Sequence, residues 1–375
     1  MKHVGSVRFG LVVLIMIVAL TWSCSKTHTS LDAPIVTVWE PESFSTSYAM
    51  SAVNYYNGTV IYPQILTNSG GFCFADLSGK TIRQISIANG KGPGEIQSHM
   101  AITIANDRIV IYDNAQNKLV LYSIEGKHID DIALNDEIGV PMSVTINDAF
   151  MYINGKFGVK LLKYDLTRLS VSESQAYEVL QKEVPQDGDP FQGGVLSYDP
   201  FEKSLFLGYY NRPFTLEQYD IDLNVIQTYS LKSTSDYKEC SWYNYNGAIT
   251  QVGDRVIGGI AFDENYIYTS FGGGYEKAST PTDGKPFEYR VVDVDIRAFD
   301  RKTKRQTAQI ICTQLNGIRG FVKILGVTHD NIIIQIADMS PTTYLLMNKK
   351  RAENQTRNFA IAVLKNPLYE KGVRL

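Results

Sequence analysis

Histidine and cysteine are scarce in this chain. Its 375 residues hold five histidines and four cysteines. From residue 34 onward only His99, His128 and His329 remain, so a two-histidine metal site or a Ser–His–Asp triad has little to draw on. His128 follows the turn Gly126-Lys127 and His329 stands beside Asp330; each reads as an exposed polar turn residue. Cys73, Cys240 and Cys312 are odd in number and match no zinc spacing, which leaves apolar packing as their expected role and a single pairing open in an oxidising compartment. Basic patches are lacking too. Lys and Arg total 36 against 39 Asp and Glu, a net charge of -3, and the run at 301–305 is short. Nucleic acid is therefore not an expected partner. Helical patterning is nearly absent: "SVSESQAYEVLQKE" at 170–183 is the one stretch of length, and it reads equally as strand and loop. No cofactor motif, metal set or catalytic constellation stands out.

The N-terminus is where apolar residues concentrate. Lys2 and Arg8 flank the approach to "LVVLIMIVAL" at 11–20. That run is shorter than the ~20 residues of a spanning helix and fits a signal h-region. "TWSCS" follows, with Ser23 just ahead of Cys24. The arrangement resembles a bacterial lipoprotein signal, which implies removal of residues 1–23 and lipidation of Cys24. The alternative is an ordinary secretory signal that leaves a free cysteine. Residues 24–33 read as a polar tether, and 34–375 as one folded domain. No acidic run follows Cys24 early, of the kind that marks export to the surface in some bacterial lipoproteins. The expectation is a lipid anchor in the outer membrane with the domain facing the periplasm.

The domain consists of short apolar runs broken by polar turns, rich in Ile, Val, Tyr and Phe, as strands are. One kind opens after a polar or glycine turn: "YNGTVIY" at 56, "NDRIVIY" at 106, "NDAFMYI" at 147, "KSLFLGYY" at 203, "ENYIYTS" at 264 and "HDNIIIQ" at 329. A second kind follows each: "FADLSGK" at 74, "YSIEGKH" at 122, "YDLTRLS" at 164, "YDIDLNV" at 219, "FDRKTKR" at 299 and "LMNKKRA" at 346. The repeat spacing is roughly 55 residues, one small antiparallel sheet per repeat, and such sheets must stack to bury both faces. The expected fold is all-β, a six-bladed β-propeller. The widest interval holds "SFGGGYEKASTPTDGKPFEYR", which reads as a surface insertion between strands. Asp76, Asp113, Asp165, Asp220 and Asp300 recur beside strands, as turn residues accepting amide hydrogen bonds would.

"GFCFADLSGKTIRQISIANGKGPGEIQSH" followed by "ITIANDRIVIYDNAQNKLVLYSIEGK" resembles the six-bladed, TolB-like propeller lipoproteins of Bacteroidetes, over residues 57–127. The shared features are Gly90-Lys91-Gly92-Pro93-Gly94-Glu95, Asp113, and the hairpin from Tyr122 to Lys127. The resemblance implies a fold and an envelope location, and no reaction. The glycine loop is not a phosphate-binding P-loop, since no Lys-Ser/Thr pair opens a helix after it. Pro93 fixes its own φ, and the glycines reach backbone angles closed to other residues, so the loop reads as a rigid crossing between blades. The other reading has Lys91 and Glu95 contacting a ligand at the channel mouth. Aromatic residues Trp242, Tyr243 and Tyr275 are the remaining contact candidates, as flat apolar faces with polar edges. Binding of a protein or glycan partner is the expected function, with attachment to the membrane only through the lipid. The alternative is a channel-centred, metal-assisted hydrolase or lyase, which would need acidic, Asn or His residues on the inner strands of several blades.

Overall fold

The computed structural model describes residues 29–41, 53–66, 69–134, 141–155, 160–168, 178–183, 194–209, 215–230, 241–245, 248–254, 258–271, 274–282, 285–289, 293–316, 321–337 and 359–370. The chain enters through β1 (Thr29–Asp32) and β2 (Ile35–Trp39). Blade one is β3 (Asn54–Tyr56), β4 (Thr59–Leu66), β5 (Ser69–Ala75) and β6 (Thr81–Ile87). Blade two is β7 (His99–Ala105), β8 (Arg108–Asp113), β9 (Lys118–Ser123) and β10 (His128–Ala133). Blade three is β11 (Pro141–Ile146), β12 (Phe150–Gly155), β13 (Lys160–Asp165) and β14 (Glu178–Glu183). Blade four is β15 (Gly194–Asp199), β16 (Ser204–Tyr209), β17 (Thr215–Tyr219) and β18 (Val225–Ser230). Two hairpins punctuate blade five: β19 (Ser241–Tyr245) and β20 (Ala248–Asp254) precede its β21 (Gly259–Phe262) and β22 (Tyr266–Ser270). Then β23 (Gly274–Thr282) and β24 (Lys285–Tyr289) precede its β25 (Asp295–Asp300) and β26 (Arg305–Ile311). Blade six is β27 (Phe321–Val327), β28 (Asn331–Ala337) and β29 (Phe359–Lys365), completed by β2 along β29. First strands of successive blades neighbour one another from β3 round to β27 and back to β3, which closes the ring at six.

The pattern of burial explains why these sequences make strands. Each middle strand is covered on both faces, because a blade stacks against a blade on either side. In β8, Ile109 and Ile111 enter the seam with blade one, while Val110 and Tyr112 enter the seam with blade three. Six hydrophobic clusters result, one per seam. A fully buried Leu or Ile contributes roughly 1.5–3 kcal/mol there. Outer strands are wet on one side, so β6 alternates, with Ile82 exposed and Ile87 buried. The Asn57-Gly58 turn between β3 and β4 has φ of 46° and 79°, the left-handed pair that a two-residue hairpin needs. The recurring aspartates cap turns: Asp76 accepts from the amides of Ser78 and Lys80, Asp165 from Thr167, Asp220 from Asp222 and Asn224, and Asp300 from Thr303.

The tether expected over 24–33 is shorter than its sequence suggests. Thr29–Asp32 forms β1, which pairs in parallel with β26 as a fifth strand of blade five. Asp32 then binds the amide and hydroxyl of Thr313, both at 2.9 Å. Polar side chains suit this position because an outer edge strand faces water. The last repeat also differs. "LMNKKRA" at 346 lies outside the described residues, and the third strand of blade six is β29, whose partner on the outer side comes from the N-terminus. Of the stretch at 170–183, the described residues 178–183 are strand. Cys73 and Cys312 are free and buried in different seams; Cys240 lies outside the described residues.

Antiparallel order separates the connections onto two faces. Links between first and second strands, and between third and fourth, share one face, and most are tight turns such as 106–107 and 263–265. Links between second and third strands, and from blade to blade, leave from the other, as 88–98 does. The insertion expected from the long interval is there, in two parts. Its hairpins β19–β20 and β23–β24 leave blade five at different points and join in one accessory sheet, ordered β19-β20-β23-β24.

Candidate functional site

The glycine loop crosses from β6 to β7 on the long-connection face. An isolated bridge between Asn89 and Ile96 pins its base. Glu95 turns back on the loop, its Oε2 accepting from the Gly92 amide at 2.7 Å. The Tyr122 hydroxyl donates to the Gly94 carbonyl, and Lys118 Nζ donates to the Gly92 carbonyl at 3.3 Å. Asp131 collects Lys118 Nζ at 2.8 Å, His128 Nε2 at 2.9 Å and the Gly94 amide at 3.2 Å. Burial first, then the carboxylates of Asp131 and Glu95, raises the Tyr122 phenol well above its ordinary range, so it stays a donor. Gly94 has φ +70°, and a Cβ there would stand 2.8 Å from His128 Cγ. These partners sit on β9 and β10, the outer half of blade two. Lys91 is exposed. His128 is half-buried, contrary to the exposed position expected of it, because it fills the space beside Gly94 against Tyr122.

Trp242 and Tyr243 lie on β19, and Tyr275 lies on β23. The register pairs Trp242 with Gln251, Tyr243 with Thr250, and Tyr275 with both Gly253 and Tyr289. The accessory sheet thus carries Trp242, Tyr243, Tyr275, Phe287 and Tyr289 on its four strands. Sequence spacing alone does not reveal that the two hairpins meet.

Arg301, which the short basic run at 301–305 suggests as a solvated turn residue, is instead buried, and Lys323, which the sequence did not mark, is partly covered. Arg301, in the turn after β25, binds Asp199 with both terminal nitrogens, Nη2 at 3.0 Å, and donates through Nε to the Asp263 carbonyl at 2.7 Å. Lys304 binds Glu202 in the same network, and Gln218 reaches Glu202 at 2.7 Å. Lys323 sits in β27 within "FVKILGV". Its only signal in the sequence is a lone charge inside an apolar run. The short-turn face also holds a shallow cavity of about 410 Å³ lined by His329, Asp330, Lys365, Asn366, Tyr369 and Glu370. His329 is exposed there, with its ring 4.2 Å from that of Tyr369. Among the described residues no three His, Cys, Asp or Glu side chains group as a metal ion would require.

The family described as a 6-bladed beta-propeller, DUF5128, matches residues 42–153, less than a third of the chain. Two solved structures match nearly the whole length. One is a protein of Bacteroides fragilis described as exported, at 11% identity and a TM-score of 0.53, covering 92% of this chain and 97% of its own. The other is a member of the DUF4221 family from Bacteroides vulgatus, at 12% identity and a TM-score of 0.54, covering 91% of this chain and 100% of its own. At these identities the likeness concerns the fold. No curated protein matches the sequence. The chain is thus an all-β, six-bladed β-propeller related in fold to exported and DUF4221 proteins of Bacteroides.

Proposed function

We propose that this propeller is a TolB-like lipoprotein of the cell envelope, held at the outer membrane by a lipid on Cys24 and facing the periplasm, and that it binds a protein or glycan partner. The observation that supports binding is the difference between the two faces. The accessory sheet is assembled from two insertions on the long-connection face, and its strands carry Trp242, Tyr243, Tyr275, Phe287 and Tyr289. Aromatic rings on a pleated sheet offer broad contact area at low entropic cost, which suits sugar rings and protein surfaces alike. The support for anchoring is the apolar run at 11–20 with Ser23-Cys24 after it. A single acyl chain binds membranes only marginally, so the reading entails multiple acylation.

Binding is tested with the detergent-solubilised full chain on a glycan array, and by photo-crosslinking in envelope fractions. Trp242→Ala and Tyr275→Ala should each weaken the captured partner at least about tenfold, as central aromatic contacts do, without lowering Tm. Unchanged affinity in both variants overturns the assignment of the accessory sheet. Cys24→Ser should move the protein from the membrane to the soluble fraction, and equal retention ends the anchor.

A further inference from the structure

The channel wall is built from the innermost strands β3, β7, β11, β15, β21 and β27. Among Lys, Arg, Asp and Glu they carry two residues, Asp199 and Lys323. Asp199 is fully buried and holds Arg301. Among the described residues Lys323 meets no carboxylate. Its neighbours Phe321 and Leu325 pack in the seam with blade one, and alternation puts Lys323 on the same side. Among the described residues its Nζ meets one acceptor, the Val53 carbonyl across that seam, at 3.4 Å, long for a hydrogen bond. The strands against β27 read "NYY", "GIAF", "YIYTS" and "NIIIQIA". Their titratable groups are Tyr55, Tyr56, Tyr266 and Tyr268, all held above the ordinary tyrosine range chiefly by burial and so neutral at pH 7.

Other seams of the wall are joined by hydroxyls. Ser143 Oγ donates to the Gly194 carbonyl and accepts from the Leu196 amide, both at 2.9 Å. Thr145 Oγ1 accepts from the Tyr198 amide at 3.1 Å, and Ser270 Oγ from the Ile324 amide at 2.9 Å. A neutral side chain is therefore enough to link two blades. A lysine with one weak acceptor links them less well and adds the penalty of a partly desolvated, uncompensated charge. Linking the blades does not explain the choice of residue. Lys323 keeps part of its surface uncovered, on a strand that lines the channel.

We propose that Lys323 is an anion-binding residue of the channel wall, receiving a carboxylate or sulfate group of a bound ligand at the seam of blades six and one. The inference rests on the binding function proposed above and adds the charge of the ligand. A bound anion supplies the counter-charge that the wall omits, in surroundings where water screens the pair weakly.

The test is a titration of the full chain with its lysines dimethylated using ¹³C-formaldehyde. Acetate and sulfate are the probes, against chloride at matched ionic strength. Burial pushes Lys323 down to about 8, so its resonance should titrate apart from those of surface lysines. Acetate or sulfate should raise that value by at least about half a unit, roughly a threefold gain in proton affinity, while surface lysines follow chloride. Lys323→Gln assigns the resonance by its loss. Brief acetylation of the wild-type chain with peptide mapping needs no variant, and there either anion should slow labelling of Lys323 about threefold, the same factor. No effect of either anion beyond chloride overturns the proposal. The probes are small ions that need no accessory sheet. An intact anion response with unaltered partner binding in Trp242→Ala and Tyr275→Ala sinks only the role of that sheet. The reverse result sinks only the role of Lys323.

Discussion

Arg301 and Lys323 both stand at blade seams, and the protein treats them in opposite ways. Arg301 holds the Asp263 carbonyl of its own blade five and joins that blade to blade four through Asp199, flanked by the pair of Lys304 and Glu202. Lys323 faces blade one with, among the described residues, a single distant carbonyl. A planar guanidinium with fixed donors suits a permanent link, whereas a lysine ammonium is a point charge that takes whichever acceptor arrives. The first has the chemistry of architecture. The second is the form expected of a group that meets something from outside.

Removing a counter-charge should separate them most sharply. Asp199→Ala leaves Arg301 enclosed without its partner, and should lower unfolding stability by about 3–5 kcal/mol. Urea melts check this, and a loss below about 1 kcal/mol would mean that Arg301 is no more tied than Lys323. Lys323→Met should act in the other direction. The Lys323 amine has a folded value near 8 against an ordinary 10.5. Between those values the unfolded chain binds the extra proton, so wild-type stability rises with pH through that window. Below about pH 8 both states are protonated and the whole penalty, on the order of 3 kcal/mol, applies. Lys323→Met should therefore be more stable than wild type at pH 7, with the advantage fading by about pH 10.5. Thermal melts at pH 7 and pH 10.5 read the difference directly, and a Met variant less stable than wild type at pH 7 would place Lys323 with Arg301.

The glycine loop carries the same contrast at smaller scale. Gly94→Ala meets both a left-handed φ and the His128 ring, and should cost about 1–3 kcal/mol. Its neighbour Lys91 is exposed, and Lys91→Ala should stay within about 0.5 kcal/mol. The two variants melted together check both values. An unchanged Tm for Lys91→Ala with loss of a captured partner would make the loop a recognition element.

The middle strands were legible because packing on both faces turns them into near-continuous apolar runs, as in "RIVIYD" and "KLVLYS". The innermost strands were not, since "NYY" and "GIAF" are short and face a channel that imposes no simple pattern. The aspartate turns were legible, because an Asp accepting amides from the next few residues is a local matter. The position of His128 was not, because it depends on Gly94 in a neighbouring connection.

Local chemistry in the sequence thus determined the strands, their period, the turns between them and, through that period, six stacked sheets. Tertiary structure alone decided that Thr29–Asp32 extends blade five, that two separate hairpins share one sheet, and that Lys323 meets no carboxylate among the described residues. Strand formation depends on neighbours within a few residues. Closure of the ring, union of the hairpins and compensation of a charge each depend on groups far apart in the chain, whose meeting no local pattern records.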